Sequence, residues 1–239
     1  MDNKHDEIGD FLQNLPDKFH ILEDKIDFQT QKEYIDYSHS FDRGELTDRE
    51  TSKLGKMLFD SKMPVEAKKK VLAILAHLGT ITAFRQIEKY YFSSDNDLKQ
   101  WTAIALQECK MFLESSLTDH MTGFISSGLG GIKDRFRYYF LILPLAGRLF
   151  TETQKRIIEE EFIIVIKDLN SFIESFNISD TYIGITALVP MDIAVGKLIE
   201  TGIKKCNELG DFVLEHYYAT NQDIPNESEI IEIIKIVRG

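Results

Sequence analysis

The chain has 239 residues, enough for one large domain or for two small domains that each bury a hydrophobic core. Hydrophobic residues make up 43% and charged residues 28% of the chain, which are ordinary values for a soluble globular protein. The formal net charge of −11 argues against a nucleic-acid-binding surface, since such a surface requires a concentrated excess of lysine and arginine.

The two cysteines, Cys109 and Cys206, are far apart in the sequence and lie on the apolar sides of two predicted helices. Because there is no Cys-x-x-Cys pair and no close spacing of histidines, the sequence predicts two reduced core thiols and no metal site. The segment Met1–Gln13 lacks the basic and apolar regions of a secretory signal, and no apolar run reaches the ~18 residues of a membrane span. We therefore expect a cytoplasmic protein that uses neither a membrane nor a cofactor.

Helices dominate the prediction for the first half of the chain. Residues 1–27 are interpreted as a polar leader with one or two short helices, separated at Pro16. The next helix, Gln29–Phe41, places Tyr34 and Tyr37 on one face and is interpreted as a cap for the helices that follow. Apolar residues spaced three or four apart then predict helices over Thr47–Phe59, Pro64–Leu78, Thr82–Tyr91 and Leu98–Cys109.

An internal repeat connects two of these helices. Ala67–Leu78 and Leu98–Cys109 match at an offset of about 31 residues, which aligns Leu75 with Leu106. Self-similarity at this period is typical of stacked helical hairpins, each of which needs a neighbour to bury its apolar face. We therefore predict that Leu75 and Leu106 are equivalent buried positions.

The two segments share a basic residue after the first apolar position and small or apolar residues in mid-helix, and the first ends in Leu-x-x-Leu-Gly. This pattern resembles HEAT repeats, and the residues that carry the resemblance are Lys68, Leu75, Leu78 and Gly79 in the first copy and Lys99, Ala103, Ala105 and Leu106 in the second. The resemblance implies an α–α superhelix over about Thr47–Leu117. Because the first copy has Val71 and Leu72 where small residues are expected, and the second lacks the final glycine, two unrelated helical hairpins of similar length are the alternative.

The pattern changes after residue 118, where we place the boundary between a helical domain, residues 1–118, and an α+β domain, residues 119–239. Alternating residues from Lys133 lead into an apolar run that ends before Pro144, which predicts a strand entering a sheet. The predicted elements that follow are, in order, a helix over Thr151–Phe176, a strand over Tyr182–Val189, a helix from an N-cap at Asp192 to Gly210 and a strand over Phe212–Ala219. The last predicted element is a helix over Glu227–Val237, which begins with a capping box of Asn226 and Glu229. The predicted fold class is α+β, an α–α superhelix followed by a small α/β sandwich of about three strands.

A glycine-rich loop at residues 126–137 is the best candidate binding site, because bare backbone amides next to positive charge can hold an anion. The candidate ligand-binding residues are Gly128, Gly130, Gly131, Lys133 and Arg135. The loop has neither the Gly-Lys-Ser/Thr of a P-loop nor the strand and helix context of a dinucleotide fingerprint. A tight turn or a hinge between the two halves is the alternative, and a turn is the outcome that we expect.

No catalytic signature is present in the sequence. There is no Ser-His-Asp order, nucleophile elbow or His-Glu-x-x-His, and the six histidines are scattered. Glu215 and His216 are predicted on opposite faces of a strand, which keeps them from acting on one substrate. Phe136, Tyr138 and Phe140 share one strand face, which we assign to the core rather than to stacking on RNA bases.

We therefore expect a non-catalytic protein–protein interaction or adaptor protein whose partner is another protein and not a nucleic acid. Two alternatives come from other functional classes. One is a regulatory module that binds a small anionic ligand at the 126–137 loop, and the other is an enzyme whose pocket gathers acid and base residues from both halves.

Overall fold

The computed structural model describes residues 18–38, 46–93, 96–118 and 120–238. The chain forms two compact units, Met1–Ser126 and Ser127–Gly239. The boundary was expected after residue 118, and the contacts divide the chain after Ser126. The segment Thr122–Ile125 belongs to the first unit because it pairs with a strand of that unit.

Among the residues that the structure describes, the first unit contains five helices and a two-stranded parallel sheet. Its elements are β1 (Lys18–Ile21), α1 (Phe28–Ser38), α2 (Asp48–Met57), α3 (Val65–Leu78), α4 (Ile81–Tyr91), α5 (Asn96–Thr118) and β2 (Thr122–Ile125). The helices α2 to α5 confirm the four predicted between residues 47 and 109. The predicted helix Gln29–Phe41 corresponds to α1, and its last residues lie outside the described ranges.

Local sequence signals explain where these helices begin and end. Thr47 and Glu50 form a capping box at the start of α2. The helix α3 ends at Gly79, whose φ of 56° is left-handed, and Thr80 then caps α4 by accepting a hydrogen bond from the Ala83 amide. Gly79 also lies against α5, because an added Cβ would be 2.6 Å from Cβ of Phe112. Gly79 thus both ends α3 with a left-handed turn and allows the chain there to lie close to α5.

The two helices that carry the repeat, α3 and α5, pack against each other, and α2 packs against α4. Their shared core includes Leu72, Leu75 and Trp101. Leu75 is fully buried, whereas Leu106 packs on the same core and is only partly buried. The predicted burial is therefore confirmed for Leu75 and holds in part for Leu106, while the HEAT-type superhelix stays a prediction.

Residues 18–21 form a strand where short helices were predicted. β1 runs parallel to β2, with Lys18 opposite Thr122 and Ile21 opposite Ile125. Because the two strands are distant in the sequence, no local periodicity indicates their pairing. The earlier part of the predicted leader, residues 1–17, lies outside the described residues.

In the described part of the second unit, a five-stranded antiparallel sheet is accompanied by three helices. The elements are β3 (Gly131–Ile132), β4 (Arg135–Ile142), α6 (Glu152–Asp168), β5 (Phe172–Ile178), β6 (Ile183–Pro190), α7 (Val195–Glu208), β7 (Tyr218–Thr220) and α8 (Glu227–Arg238). The strand order is β3-β4-β6-β5, and β7 also pairs with β4. From β4 to β7 this is the βαββαβ arrangement of ferredoxin-like domains. The α+β class is confirmed, and the predicted number of about three strands is corrected to five.

The predicted helix Thr151–Phe176 consists of two elements. α6 ends at Asp168, and Asn170, whose φ is 51°, turns the chain into β5. Phe172 and Phe176 keep the apolar spacing of a helix, so the periodicity does not reveal the break. β5 is the additional strand at one edge of the sheet.

The predicted strand Phe212–Ala219 is reduced to Tyr218–Thr220 and an isolated bridge between Pro144 and Val213. The side-chain amide of Asn207 accepts a hydrogen bond from the Val213 amide and donates one to the Val213 carbonyl, both at 2.9 Å. These bonds occupy backbone groups that a strand ladder would need.

The two predicted caps of the second unit differ in outcome. α7 begins at Val195 after Ala194, which provides no side-chain cap, so the prediction that Asp192 is the N-cap is wrong. The capping box of α8 is confirmed, because Asn226 N donates to Glu229 Oε2 at 2.7 Å and Glu229 N donates to Asn226 Oδ1 at 3.1 Å.

The sheet separates two apolar clusters. Tyr138 and Phe140 pack on the side of α6 and α7, as predicted, and the Phe140 ring lies 5.8 Å from that of Phe162. Phe136, which was predicted to join them in the core, is half-buried and belongs to neither cluster. On the other side, Tyr139 packs with Ile230 of α8. The alternation along β4 therefore supplies both clusters.

Cys109 and Cys206 are buried free thiols, as predicted. Burial raises the pKa of each thiol to about 12. None of the helices in the described ranges combines the length and the apolar character that crossing a membrane requires.

Candidate functional site

The glycines of the 126–137 loop serve close backbone contacts within the second unit. A Cβ on Gly128 would lie 1.8 Å from the carbonyl oxygen of Gln222, and Gly130 has a left-handed φ of 67°. The amide of Leu129 donates to the carbonyl of Asn221 at 2.9 Å, and the amide of Gly130 donates to Ser127 at 3.0 Å. These two amides are therefore already engaged and do not face a ligand.

Lys133 and Arg135 lie at the turn between β3 and β4. Lys133 is exposed, with a φ of 58°, and its ammonium group forms no hydrogen bond or ion pair with a described residue. Arg135 donates from Nε to the Asn170 carbonyl at 3.2 Å and from Nη1 to Oδ1 of Asp134 at 2.6 Å, and its guanidinium lies 5.0 Å from the Phe172 ring centroid. Arg135, at the start of β4, thus holds the turn at Asn170 in place just before β5 begins.

Arg137 is held in the same way. Its Nε and Nη2 donate to the two carboxylate oxygens of Glu174 at 2.5 and 2.8 Å, and Nη1 donates to the Leu129 carbonyl at 2.7 Å. This pairing raises the pKa of Arg137 above its ordinary value. Of the cations in this loop, Lys133 is the one that these internal contacts leave open to a ligand.

A cavity of about 400 Å³ lies within the first unit, and of its lining residues only Ser126 belongs to the predicted 126–137 loop. Its lining includes Tyr34, Ile35 and Ser38 from α1, Ile104 and Glu108 from α5, and Phe124 and Ser126 at β2. We call it the Glu108 cavity. Tyr34 and Ser38 are four residues apart, which puts them on one face of α1.

Glu108 is the buried charged group of this cavity, with 8% of its surface exposed. Its Oε2 accepts a hydrogen bond of 2.6 Å from Tyr34 Oη, and its Oε1 accepts one of 2.9 Å from Ser38 Oγ. Burial, followed by the charge of Glu108, raises the pKa of Tyr34 well above its ordinary value. Both hydroxyl groups therefore act as donors that stabilise a carboxylate.

His77 lies beside this network without completing a catalytic relay. Its Nδ1 is 2.9 Å from the Ala73 carbonyl oxygen, which can only accept, so Nδ1 carries a proton. Nε2 is 3.4 Å from Ser38 Oγ, and Nδ1 is 3.9 Å from Glu108 Oε2. Because Ser38 donates to the carboxylate, the order of contacts differs from the acid–histidine–serine order of a hydrolase triad.

The sequence contains one signal that points to Glu108. Trp101, Ala105 and Glu108 are spaced four and three apart on the apolar stripe of the predicted helix. An acid on such a stripe is rarely fully buried unless it is paired. Its partners come from α1, which lies far away in the sequence, so the signal indicates a buried carboxylate without showing what surrounds it.

A second feature of the first unit is a group of lysines placed over aromatic rings. Lys89 Nζ lies 5.2 Å from the Phe59 centroid, and Lys68 Nζ lies 5.7 Å from that of Tyr90. Phe59 and Tyr90 are in edge contact at 5.5 Å. We call Phe59, Lys68, Lys89 and Tyr90 the lysine–aromatic surface.

Neighbouring lysines are engaged differently. Lys69 forms an ion pair of 3.1 Å with Glu66, and Lys99 donates to the Tyr91 carbonyl at 2.6 Å, which caps the end of α4. Lys68 and Lys89, by contrast, form no ion pair with a carboxylate of the described residues. Their charges are therefore available to a partner.

No protein-family model matches this chain, and no curated protein matches it. A search of solved structures finds, among other chains, a REP-associated tyrosine transposase bound to a REP hairpin. The similarity has a TM-score of 0.33 and 11% sequence identity, and it covers 43% of this chain and 64% of the transposase chain. A similarity this low carries no conclusion about the fold or function of this chain.

An open groove of about 770 Å³ lies along α7 in the second unit. Glu215 and His216 both line it, so their predicted separation on opposite strand faces is wrong, because the strand begins only at Tyr218. Tyr217 donates to Glu200 in this groove at 3.2 Å. In the described part of the chain, no group of three or more histidine, cysteine, aspartate or glutamate side chains is placed to hold a metal ion.

Proposed function

We propose that this protein is a non-catalytic interaction protein that binds an acidic partner protein through its lysine–aromatic surface. The observation that carries the proposal is that Lys68 and Lys89 lie over aromatic rings without a carboxylate partner among the described residues. Surfaces that combine aromatic groups with unpaired cations are suited to partner segments that present acidic side chains beside an apolar one.

The distribution of charge supports this choice of partner. Residues 46–93, which contain α2 to α4, carry nine lysines and arginines and five acids, a net charge of +4, although the whole chain has a net charge of −11. A local excess of positive charge in an acidic protein attracts and orients an acidic partner. The packing of α3 on α5 and α2 on α4 also supports the HEAT-like interpretation, since stacked hairpins present extended binding surfaces.

The exposure of the rings favours a protein over a single-stranded nucleic acid. Stacking of successive bases requires several open ring faces. Tyr90 exposes only 3% of its surface, which leaves Phe59, 42% exposed, as the one open ring of this surface. The free thiols of Cys109 and Cys206 support a reducing, cytoplasmic location for the interaction.

Capture from the native cell, followed by mass spectrometry and by calorimetry with the purified partner, tests the proposal. We expect the double variant Lys68→Glu, Lys89→Glu to bind the partner at least about tenfold more weakly than the wild type, and we expect wild-type binding to weaken with salt. The control is Lys167→Glu, Lys197→Glu, which makes the same charge change at exposed positions of the second unit. The proposal is contradicted if the wild type and Lys68→Glu, Lys89→Glu bind the partner with equal affinity. It is also contradicted if the captured partner is a nucleic acid.

The alternative of a small anionic ligand at the 126–137 loop depends mainly on Lys133, because Arg135 and Arg137 are held by internal contacts. An increase in the melting temperature of the protein on addition of inorganic phosphate measures binding of an anion directly. If the loop is a ligand site, replacing Lys133 and Arg135 by glutamine abolishes phosphate binding; if the loop is a turn, phosphate has no effect on either protein.

A further inference from the structure

We propose that the Glu108 cavity binds a small organic cation, an amine that carries an apolar aromatic or branched body. The lining of this cavity of about 400 Å³ combines the hydrogen-bonded groups of Glu108, Tyr34 and Ser38 with apolar side chains, which include Ile35, Ile104 and Phe124. This volume and this division into a few polar groups and an apolar wall are typical of small-molecule sites.

The charge of Glu108 determines the class of ligand. Each carboxylate oxygen accepts one hydrogen bond, from Tyr34 or from Ser38, and has capacity for a second. A carboxylate that is 8% exposed is costly unless a cation compensates its charge. An ammonium group on a ligand supplies both the missing charge and the missing donors.

The protein itself compensates this charge incompletely. His77 is the basic side chain that the described residues place within ion-pair distance of Glu108, with Nδ1 3.9 Å from Oε2. That nitrogen directs its proton to the Ala73 carbonyl at 2.9 Å instead. The carboxylate therefore keeps accepting capacity that His77 does not use.

A second polar group indicates that the ligand has more than one anchor. The hydroxyl group of Ser126 is buried at the lining of the cavity and has no hydrogen-bond partner among the described residues. A buried hydroxyl without a partner is uncommon in folded proteins. It fits a ligand that binds Glu108 with its ammonium group and offers a further polar atom to Ser126.

Three probes that share one body and differ in charge test the inference. They are 2-phenylethylamine, which is a cation at neutral pH, 2-phenylethanol, which is neutral, and phenylacetate, which is an anion. Binding is measured by calorimetry and by protein-observed NMR on the full chain at pH 7. We expect the amine to bind at least about tenfold more tightly than the alcohol, and the anion to bind most weakly.

Glu108→Gln retains the shape of the side chain and removes its charge. We expect this variant to bind amine and alcohol with affinities within about twofold of each other, because the preference for the cation depends on the carboxylate. The matched control is Glu66→Gln, an exposed acid of the same unit, which should leave the preference unchanged.

Ile35→Trp provides a variant that does not depend on the buried carboxylate. Ile35 lines the cavity but is 51% exposed, so a larger side chain fits there with little effect on folding. We expect it to fill the entrance and weaken binding of amine and alcohol alike by at least about tenfold. Three results would each overturn the inference. The first is that the amine fails to bind the wild type at about 10 mM, the second is that the amine and the alcohol bind the wild type with equal affinity, and the third is that Ile35→Trp binds the amine as tightly as the wild type does.

Discussion

Tyr34 of α1 and Glu108 of α5 are joined by a buried hydrogen bond of 2.6 Å. Tyr34 exposes 2% of its surface and Glu108 exposes 8%. Burial, together with the charge of Glu108, raises the pKa of Tyr34 well above its ordinary value of 10.0, so the tyrosine is the donor at neutral pH. A charge-assisted bond therefore ties α1 to the long helix at the centre of the first unit.

Tyr34→Phe removes this donor and keeps the ring, whose centroid lies 5.0 Å from that of Trp101. We expect the free energy of unfolding to fall by about 1–3 kcal/mol, because the buried carboxylate loses one of its two hydroxyl donors. Urea denaturation at pH 7 measures the change. Tyr217→Phe is the control, since it removes an exposed bond of 3.2 Å to Glu200 and should cost less than about 0.5 kcal/mol. If Tyr34→Phe and Tyr217→Phe lower the free energy of unfolding equally, the buried bond from Tyr34 to Glu108 does not stabilise the fold more than an exposed bond does.

The repeat leads to a second prediction, in which structure and sequence disagree. Leu75 is fully buried, so Leu75→Ala should lower the free energy of unfolding by about 2–5 kcal/mol. Leu106 is only partly buried, and Leu106→Ala should cost clearly less. Leu117→Ala, at a position that is 70% exposed, serves as the control and should change stability by no more than about 0.5 kcal/mol. Equal losses at Leu75 and Leu106 would restore the equivalence that the alignment predicts.

Elements with a local cause were predictable from the sequence. The start of α2 at Thr47, the end of α3 at Gly79 and the capping box at Asn226 each depend on residues within four positions of one another. The packing of Tyr138 and Phe140 on one side of β4 was also predictable, because alternation along a strand fixes which residues share a side.

Features that depend on distant residues were not predictable. The strand β1 exists because it pairs with β2, and nothing within Lys18–Ile21 indicates that partner. The Glu108 cavity has the same origin, since Glu108 gains its donors from α1. The break between α6 and β5 was missed for another reason: Leu169, Phe172 and Phe176 satisfy a helical period on both sides of the turn at Asn170.

The glycine-rich loop supports a third prediction, on stability. In Gly128→Ala the new Cβ would lie 1.8 Å from the Gln222 carbonyl oxygen, so the backbone must shift, and we expect a loss of about 3 kcal/mol or more. Gly130→Ala places alanine at a φ of 67° and should cost about 1 kcal/mol. Gly147→Ala is the control for backbone strain, because its φ of 75° is close to that of Gly130 and no atom of the described residues would lie within 4 Å of its Cβ. If all three variants lose the same stability in thermal or urea denaturation, the close contact at Gly128 is not a structural requirement.

The pH dependence of stability gives a fourth prediction, at the start of α1. Asp27 accepts hydrogen bonds from the side chain of Thr30 at 2.6 Å and from its backbone amide at 2.9 Å. These bonds, the side-chain one first, hold the pKa of Asp27 below its ordinary value of 3.8. A carboxyl group whose pKa is lower in the folded state stabilises the fold above its unfolded pKa, and this stabilisation is lost as the pH falls through the folded pKa.

Asp27→Asn isolates this effect, because asparagine is also a good N-cap but does not titrate. We expect the wild type to be more stable than the variant at pH 5–7, and the difference to shrink as the pH falls below about 3.8. Thr30→Val, which retains the branched shape and removes the hydroxyl donor, should reduce the same pH dependence, since the side-chain bond is the main cause of the lowered pKa. Urea denaturation of the three proteins between pH 7 and pH 2 provides the measurement. A difference between wild type and Asp27→Asn that stays constant over this range would show that Asp27 acts as an uncharged cap and that its carboxylate adds nothing to the stability of α1.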